Sequence, residues 1–219
     1  MRALVTGGTG RLGAAIVARL EAEGWSVKGA GRADGDLADP GQARSLVERT
    51  VEDLGGLDLL VNAAGEGFVP KPVEKLTEGD WDAAFGATAK GSFFVTQAAA
   101  PHLRASRGCV VMIEDVAAYQ PWPSFAAHCA AKAAQAMLTR VLARALAPEI
   151  RVCGIAPGPV AVEPGQEKRR AAETLLGRIG SPEDVAGAVV YLARASFVTG
   201  TSLVVDGGRL LQSRPPETA

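Results

Sequence analysis

Short, unbroken apolar runs alternate with longer stretches of helical spacing from one end of the chain to the other. Ala3-Leu4-Val5 predicts a buried strand. Leu12 to Glu23 predicts a helix with Leu12, Ile16, Val17 and Leu20 on one face, stopped by Gly24. Ser26 to Gly31 predicts a second strand, and Pro40 to Leu54 a helix with Pro40 in its first turn and Asp39 as N-cap. Leu57 to Ala63 is a third buried run, followed by a long helix over Glu78 to Arg104. A strand at Val110 to Ile113, an alanine-rich helix at Ser124 to Leu146 and a strand at Arg151 to Ile155 come next. A helix at Ser181 to Ala193 and a last strand at Ser202 to Val205 complete the pattern. Continuous apolar strands between helices imply an α/β fold, a doubly wound parallel sheet covered on both faces. Such a sheet binds ligands beyond the carboxyl ends of its strands.

The alternation breaks once. Only a few residues separate Arg32 from the next apolar spot at Leu37, whereas a parallel crossover needs about a dozen. The helix after the second strand is therefore expected to be missing, and the strand after it to be vestigial or reached by a direct loop. No repeat or linker divides residues 1–219, which predicts a single domain with a loose tail over 213–219.

Composition narrows the class. The 219 residues are 47% hydrophobic, enough for a sizeable core, and the net charge of −1 carries no basic run. Nucleic acid and membrane surfaces are not expected partners. No apolar stretch reaches spanning length. Met1-Arg2 leads straight into an apolar run and a glycine loop, which leaves no room for a signal peptide. Cys109, Cys129 and Cys153 lack metal-ligand spacing and are odd in number. They predict reduced thiols in a cytoplasmic protein with no metal.

The first strand runs into Thr6-Gly7-Gly8-Thr9-Gly10-Arg11-Leu12-Gly13, and a helix follows. Glycines let the backbone turn tightly beside a pyrophosphate, and the helix N-terminus supplies N–H donors. This loop resembles that of the short-chain dehydrogenase/reductase family. Other signatures of that family follow in order: Asn62-Ala63-Ala64-Gly65, Trp81-Asp82, Lys90-Gly91, Pro157-Gly158 and Asp206-Gly207-Gly208. The resemblance covers nearly the whole chain and implies a Rossmann-type domain that binds a nicotinamide dinucleotide. It places Gly7, Thr9, Gly10, Arg11, Leu12, Gly13, Asn62, Ala63, Lys132, Pro157 and Gly158 on the cofactor, with Asp36 and Leu37 at the adenine. Arg32 ends the second strand where an acidic residue would hold the ribose 2′-OH of NAD. An arginine there suits the 2′-phosphate of NADPH, with Arg11 as a second positive charge. The alternative is that Arg32 is a solvated residue beside Asp34 and Asp36.

The reaction site departs from the family. The catalytic tyrosine lies four residues before the lysine; Lys132 fits the lysine, but the tyrosine position is His128. The serine position is Asp115 and the helix asparagine position is Thr88. An aspartate at the serine position, with Arg-Leu-Gly in the glycine loop, is similar to the bacterial pteridine reductase-like branch. That resemblance implies NADPH-dependent reduction of a dihydropterin-like or carbonyl substrate. It also makes Phe68 either a stacking partner for the substrate or a capping hydrophobe. His128 and Lys132 stand at i and i+4 and share one helix face. An imidazolium near neutral pH is a competent acid, so Asp115, His128 and Lys132 are the candidate catalytic residues. Two functions remain open: a working reductase, and a nucleotide-binding paralogue with little turnover. Glu114 beside Asp115 ranks low as a paired carboxylate, because strand neighbours face apart. Glu163 to Arg170 falls in the segment that covers the substrate in relatives. The family further implies a homodimer or homotetramer through the two long helices.

Overall fold

Six parallel strands form one sheet in a computed structural model that describes residues 1–65, 70–160 and 162–212. The chain order is β1 (Arg2–Thr6), α1 (Arg11–Ala22), β2 (Ser26–Ala30), α2 (Pro40–Leu54), β3 (Leu59–Asn62), α3 (Glu78–Phe85), α4 (Gly91–Ser106), β4 (Cys109–Ile113), α5 (Ala126–Leu146), β5 (Arg151–Pro157), α6 (Glu167–Ala171), α7 (Pro182–Arg194) and β6 (Ser202–Val205). Across the sheet the order is β2-β1-β3-β4-β5-β6. The chain runs outward from β1 to β2 and then returns to β3 on the other side of β1. The switch point for ligand binding is therefore the carboxyl end of β1 and β3.

Alternation along the strands sorts their side chains into two cores. Ala3, Val5, Leu59, Val61, Val111 and Ile155 face α1 and α7, where they meet Ile16, Leu20, Val185 and Val189. Leu4, Leu60, Val110, Met112 and Val152 point the other way, against Leu46 of α2, Val95 and Leu103 of α4 and Leu142 of α5. Both faces are apolar, which is why the strands read as unbroken apolar runs. Local signals set the helix ends. Asp39 accepts from Gly41 and Gln42 N–H ahead of α2, and Gly55 closes that helix at φ 72°. Ser181 and Asp184 form a capping box at α7.

Two expectations are revised. The long helix expected over Glu78 to Arg104 is α3 and α4 joined by a π-helical turn at Gly86–Lys90. No strand forms at Leu37, so the missing helix takes its strand with it and β2 is the sheet edge. Between β2 and α2 the chain makes one 3₁₀ turn, Arg32–Asp34. Leu37 then packs on the second core from a loop. A side chain at Gly91 would lie 3.0 Å from Leu37 Cβ, and one at Gly86 3.2 Å from Ala38 Cβ. The glycines of the π turn thus form the notch that receives this loop. The expected tail over 213–219 lies outside the described residues.

Glu114, just beyond β4, is 2% exposed. Its Oε1 accepts from Thr139 of α5 at 2.7 Å and Ser202 of β6 at 3.0 Å, and its Oε2 accepts from the Tyr119 hydroxyl at 2.9 Å. One carboxylate thus ties the loop after β4 to α5 and to the sheet edge. The space exists because residue 154 is glycine: a Cβ there would lie 2.0 Å from Glu114 Oε1. Gly154→Ala is therefore expected to break these bonds and lower the unfolding free energy by about 1–3 kcal/mol. Urea denaturation measures it; an unchanged midpoint would mean that the knot adds nothing.

Candidate active site

Where β1 ends, three backbones come together. Gly7 turns at φ 68°, and a Cβ on it would lie 2.7 Å from Ala63 O. A Cβ on Gly8 would lie 2.6 Å from Gly29 Cα, and one on Gly13 only 2.1 Å from Gly7 O. The loop therefore passes between β2 and β3 with no room for side chains. It delivers α1 with Gly10 as N-cap, no side-chain cap and no acidic residue in the first turn. The first-turn N–H groups of Arg11, Leu12 and Gly13 have no acceptor within the helix. This cradle suits a diphosphate: open backbone donors, the positive end of a helix, and no competing carboxylate.

The other expected cofactor positions lie around the same edge. Thr9 packs on Gly31, where a Cβ would lie 2.5 Å from its hydroxyl, and Arg32 follows exposed on the 3₁₀ turn. Asp36 turns its carboxylate back onto Ala38 N–H, and Leu37 is half-buried beside it. Asn62 donates to Thr96 Oγ1 at 3.0 Å, while its own Oδ1 is buried with no partner among the described residues. Pro157 ends β5, and Gly158 N–H donates to Val205 O at 2.9 Å. Arg11 is placed differently from expectation. Its guanidinium holds Glu163 at 2.7 Å and Val162 O at 3.2 Å, so it bridges the glycine loop to the segment expected to cover the substrate. Phe68 lies outside the described residues.

Asp115 and His128 come together. Asp115 Oδ1 accepts from Ala117 N–H at 2.8 Å, which leaves Oδ2 facing His128 Nε2 at 3.3 Å. Lys132, one turn further along α5, is buried. Its Nζ donates to Ile113 O at 2.7 Å and to Gln135 Oε1 at 3.0 Å. Gln135 in turn donates to Ser92 Oγ at 2.9 Å. Burial pulls the Lys132 ammonium below the usual lysine range, opposed by the carboxylates of Asp115 and Glu114. Thr88 is buried in the π turn. Glu114 and Asp115, both beyond the end of β4, bond to different partners. The chain's two tyrosines are engaged elsewhere: Tyr119 donates to Glu114, and Tyr191 is exposed on α7. Cys129 is half-buried against the Trp122 carbonyl, and burial raises its thiol pKa, so it is poorly suited as a nucleophile. Among the described residues no cluster of His, Cys, Asp or Glu is placed to hold a metal.

Several neighbours were not anticipated from the sequence. The Trp122 ring lies parallel to the His128 imidazole, 8° between planes and 6.4 Å between centroids. Arg209 sits over Trp122, 5.0 Å from the ring centroid, and pairs with Glu173. Gln135 had a signal, since i+3 places it on the Lys132 face of the helix. Arg209 and Glu173 had none, because the contact of Arg209 with Trp122 and its pairing with Glu173 exist only in the folded chain.

With this geometry in place, comparison with known proteins is direct. Residues 9–209 match the family described as enoyl-(acyl carrier protein) reductase. The chain is 35% identical to 3beta-hydroxysteroid dehydrogenase 1 of Eggerthella lenta, over 95% of this chain and 93% of the relative. It is 34% identical to a putative ketoacyl reductase of the granaticin polyketide synthase of Streptomyces violaceoruber, over 94% of each. The chain belongs to the short-chain dehydrogenase/reductase family. A solved short-chain relative, the 3-ketoacyl-(acyl-carrier-protein) reductase of Brucella melitensis complexed with NADH, superposes with a TM-score of 0.89. It is 26% identical, and the match covers 95% of this chain and 97% of that one. In this short-chain dehydrogenase/reductase, Gln135 is expected to hold Lys132 in place. Gln135→Leu should lower the unfolding free energy by about 1–3 kcal/mol, because a buried ammonium and the Ser92 hydroxyl each lose a partner. Thermal unfolding checks this, and an unshifted midpoint would contradict it.

Proposed function

We propose that this short-chain oxidoreductase is an NADPH-dependent reductase of a carbonyl or dihydropterin-like C=N bond, with the proton delivered by the Asp115–His128 pair. The observation that carries the reading is the approach of His128 Nε2 to Asp115 Oδ2 at 3.3 Å, beside a buried Lys132 on the same helix face. Gly7, Thr9, Gly10, Arg11, Leu12, Gly13, Asn62, Ala63, Lys132, Pro157 and Gly158 would hold NADPH, with Asp36 and Leu37 at the adenine and Arg32 at the 2′-phosphate, and the bound cofactor would supply a hydride. The NADH complex of the Brucella relative supports a nicotinamide cofactor, and Arg32 is the reason for choosing the phosphorylated form. Lys132, anchored on Ile113 O and Gln135, orients the nicotinamide half. The proton shared between Asp115 and His128 goes to the substrate heteroatom as negative charge develops there. The imidazole is mostly but not wholly buried, with 12% of its side chain exposed, so the pair can be reprotonated from water.

The dihydropterin option rests on Asp115 and the Arg11-Leu12-Gly13 loop, the carbonyl option on the hydroxysteroid and ketoacyl relatives. A second reading, a nucleotide-binding paralogue with little turnover, is supported by two residue identities: histidine at 128 and threonine at 88, where the family resemblance expects tyrosine and asparagine. Exposed Trp81 on α3 and exposed Met137 and Val141 on α5 support self-association, as a dimer or tetramer. The free thiols suit a cytoplasmic protein.

The deciding assay is loss of NADPH absorbance with a dihydropterin and with a ketone, for wild type and His128→Tyr. The wild type is expected to turn over, and His128→Phe to lose at least about tenfold in kcat. A His128→Phe variant as active as the wild type would remove His128 as the acid. A silent wild type with an active tyrosine variant would establish the binding-protein reading. Arg32→Ala is expected to raise KM for NADPH about tenfold or more relative to NADH. An unaltered ratio would remove the 2′-phosphate assignment.

A further inference from the structure

The groups around Trp122 carry a charge imbalance that proton delivery does not use. Arg209 follows the Gly207-Gly208 turn and is 4% exposed. Its Nη1 lies 3.1 Å from Glu173 Oε2. Glu173 is not its partner alone, because Arg170 Nη1 holds the same carboxylate at 3.0 Å. Two guanidinium groups thus share one carboxylate. The other acids nearby are committed. Asp206 accepts from Gly208 and Leu210 N–H at 2.7 and 2.8 Å, and Asp115 accepts from Ala117 N–H and faces His128. The Nε–Nη2 edge of Arg209, two parallel donors, makes no hydrogen bond among the described residues, and Nε is buried with no partner.

A guanidinium withdrawn from water needs compensation by charge and by acceptors. Burial pulls the Arg209 pKa down, and Glu173 is the chief opposing charge. Half of a shared carboxylate and the face of one indole ring are incomplete compensation. The natural complement of an arginine Nε–Nη2 edge is a second carboxylate, bound side-on by two parallel hydrogen bonds. The location matters as much as the chemistry. The guanidinium lies over the same indole that lies parallel to the imidazole of His128. A ligand held by Arg209 therefore lies beside the same indole ring as the proposed acid.

We propose that Arg209, backed by Arg170 and Glu173, is the recognition site for a carboxylate on the substrate, so that the preferred substrates are oxo-acids or carboxylated aldehydes rather than neutral carbonyl compounds. This rests on the reductase function proposed above for its catalytic half, and on the charge arrangement alone for its binding half. Glu173 lies on the Nη1 side of Arg209 and repels a second carboxylate there. A ligand carboxylate takes the unpartnered Nε–Nη2 edge while Glu173 stays with Nη1 and Arg170.

The test compares 4-formylbenzoate with 4-formylbenzamide, a pair close in shape and differing in charge. With NADPH, wild type is expected to favour the carboxylate in kcat/KM by about tenfold or more, and Arg209→Gln to abolish that preference. Taking the ratio of the two substrates cancels any general loss in the variant. Glu173→Gln should move the preference the other way, upward. Arg194→Gln, a distant surface charge paired with Glu23, controls for net charge and should leave it unchanged. Calorimetric binding of the same two compounds separates this proposal from the reductase reading. If neither aldehyde turns over but 4-formylbenzoate binds wild type and not Arg209→Gln, the carboxylate site stands and the catalytic reading falls. Equal binding of the two compounds to wild type, or a preference that survives in Arg209→Gln, overturns the carboxylate site whatever the turnover.

Discussion

The meeting of three backbones at the end of β1 is the constraint on which the rest of the molecule depends. Residues 7, 8 and 13 must lack a Cβ, because atoms of Ala63, Gly29 and Gly7 already occupy that space. Only then can β1 sit between β2 and β3 while its loop turns directly into α1. That arrangement puts the switch point, the open first turn of α1 and the carboxyl edge of the sheet at one place. Every candidate group, from Arg32 to Gly158, is then delivered by the end of a strand or by the element that follows it. A bulkier residue in the loop would disturb strand order and ligand cradle together.

A second focus is the stretch just past β4, where three consecutive residues perform three tasks. The Ile113 carbonyl accepts from the buried Lys132 ammonium. Glu114 locks the turn to α5 and β6 through hydroxyl groups. Asp115 caps the next turn and meets His128. The rigidity of Glu114 thus stands behind the alignment of the two groups on either side of it. Lys132 also has Gln135 as an acceptor, so its position is set by the protein before any ligand arrives. A dry, hydrogen-bonded ammonium is a fixed charge, and fixed charges lose little in reorganisation when a reaction develops charge nearby.

Most of the architecture was legible because it rests on signals a few residues long. The strands alternate between two apolar faces, so each appears as an apolar run, and the caps at Asp39 and Ser181 stand where their helices begin. The break after Arg32 was also legible, since chain length alone forbids a helical crossover there. What replaces it was not. Leu37 finds its place in a notch made by Gly86 and Gly91, about fifty residues away in sequence, and no local pattern announces that pairing. The π turn at Gly86–Lys90 was missed for the same reason: a uniform helical period does not show where one extra residue is accommodated.

By itself the sequence determined the parallel α/β sheet and the glycine cradle, and it put His128 four residues before Lys132. These depend on period, on backbone freedom at single positions, and on residue identity, all of which are local properties. Only the tertiary structure decided which groups meet. It turned Arg11 toward Glu163, bound Lys132 to Gln135, and set Arg209 over Trp122 with half a counter-charge. The physical reason is that the burial and hydrogen-bond partners of a charged side chain are supplied by segments far apart in the chain. Their energies are defined only once those segments have packed.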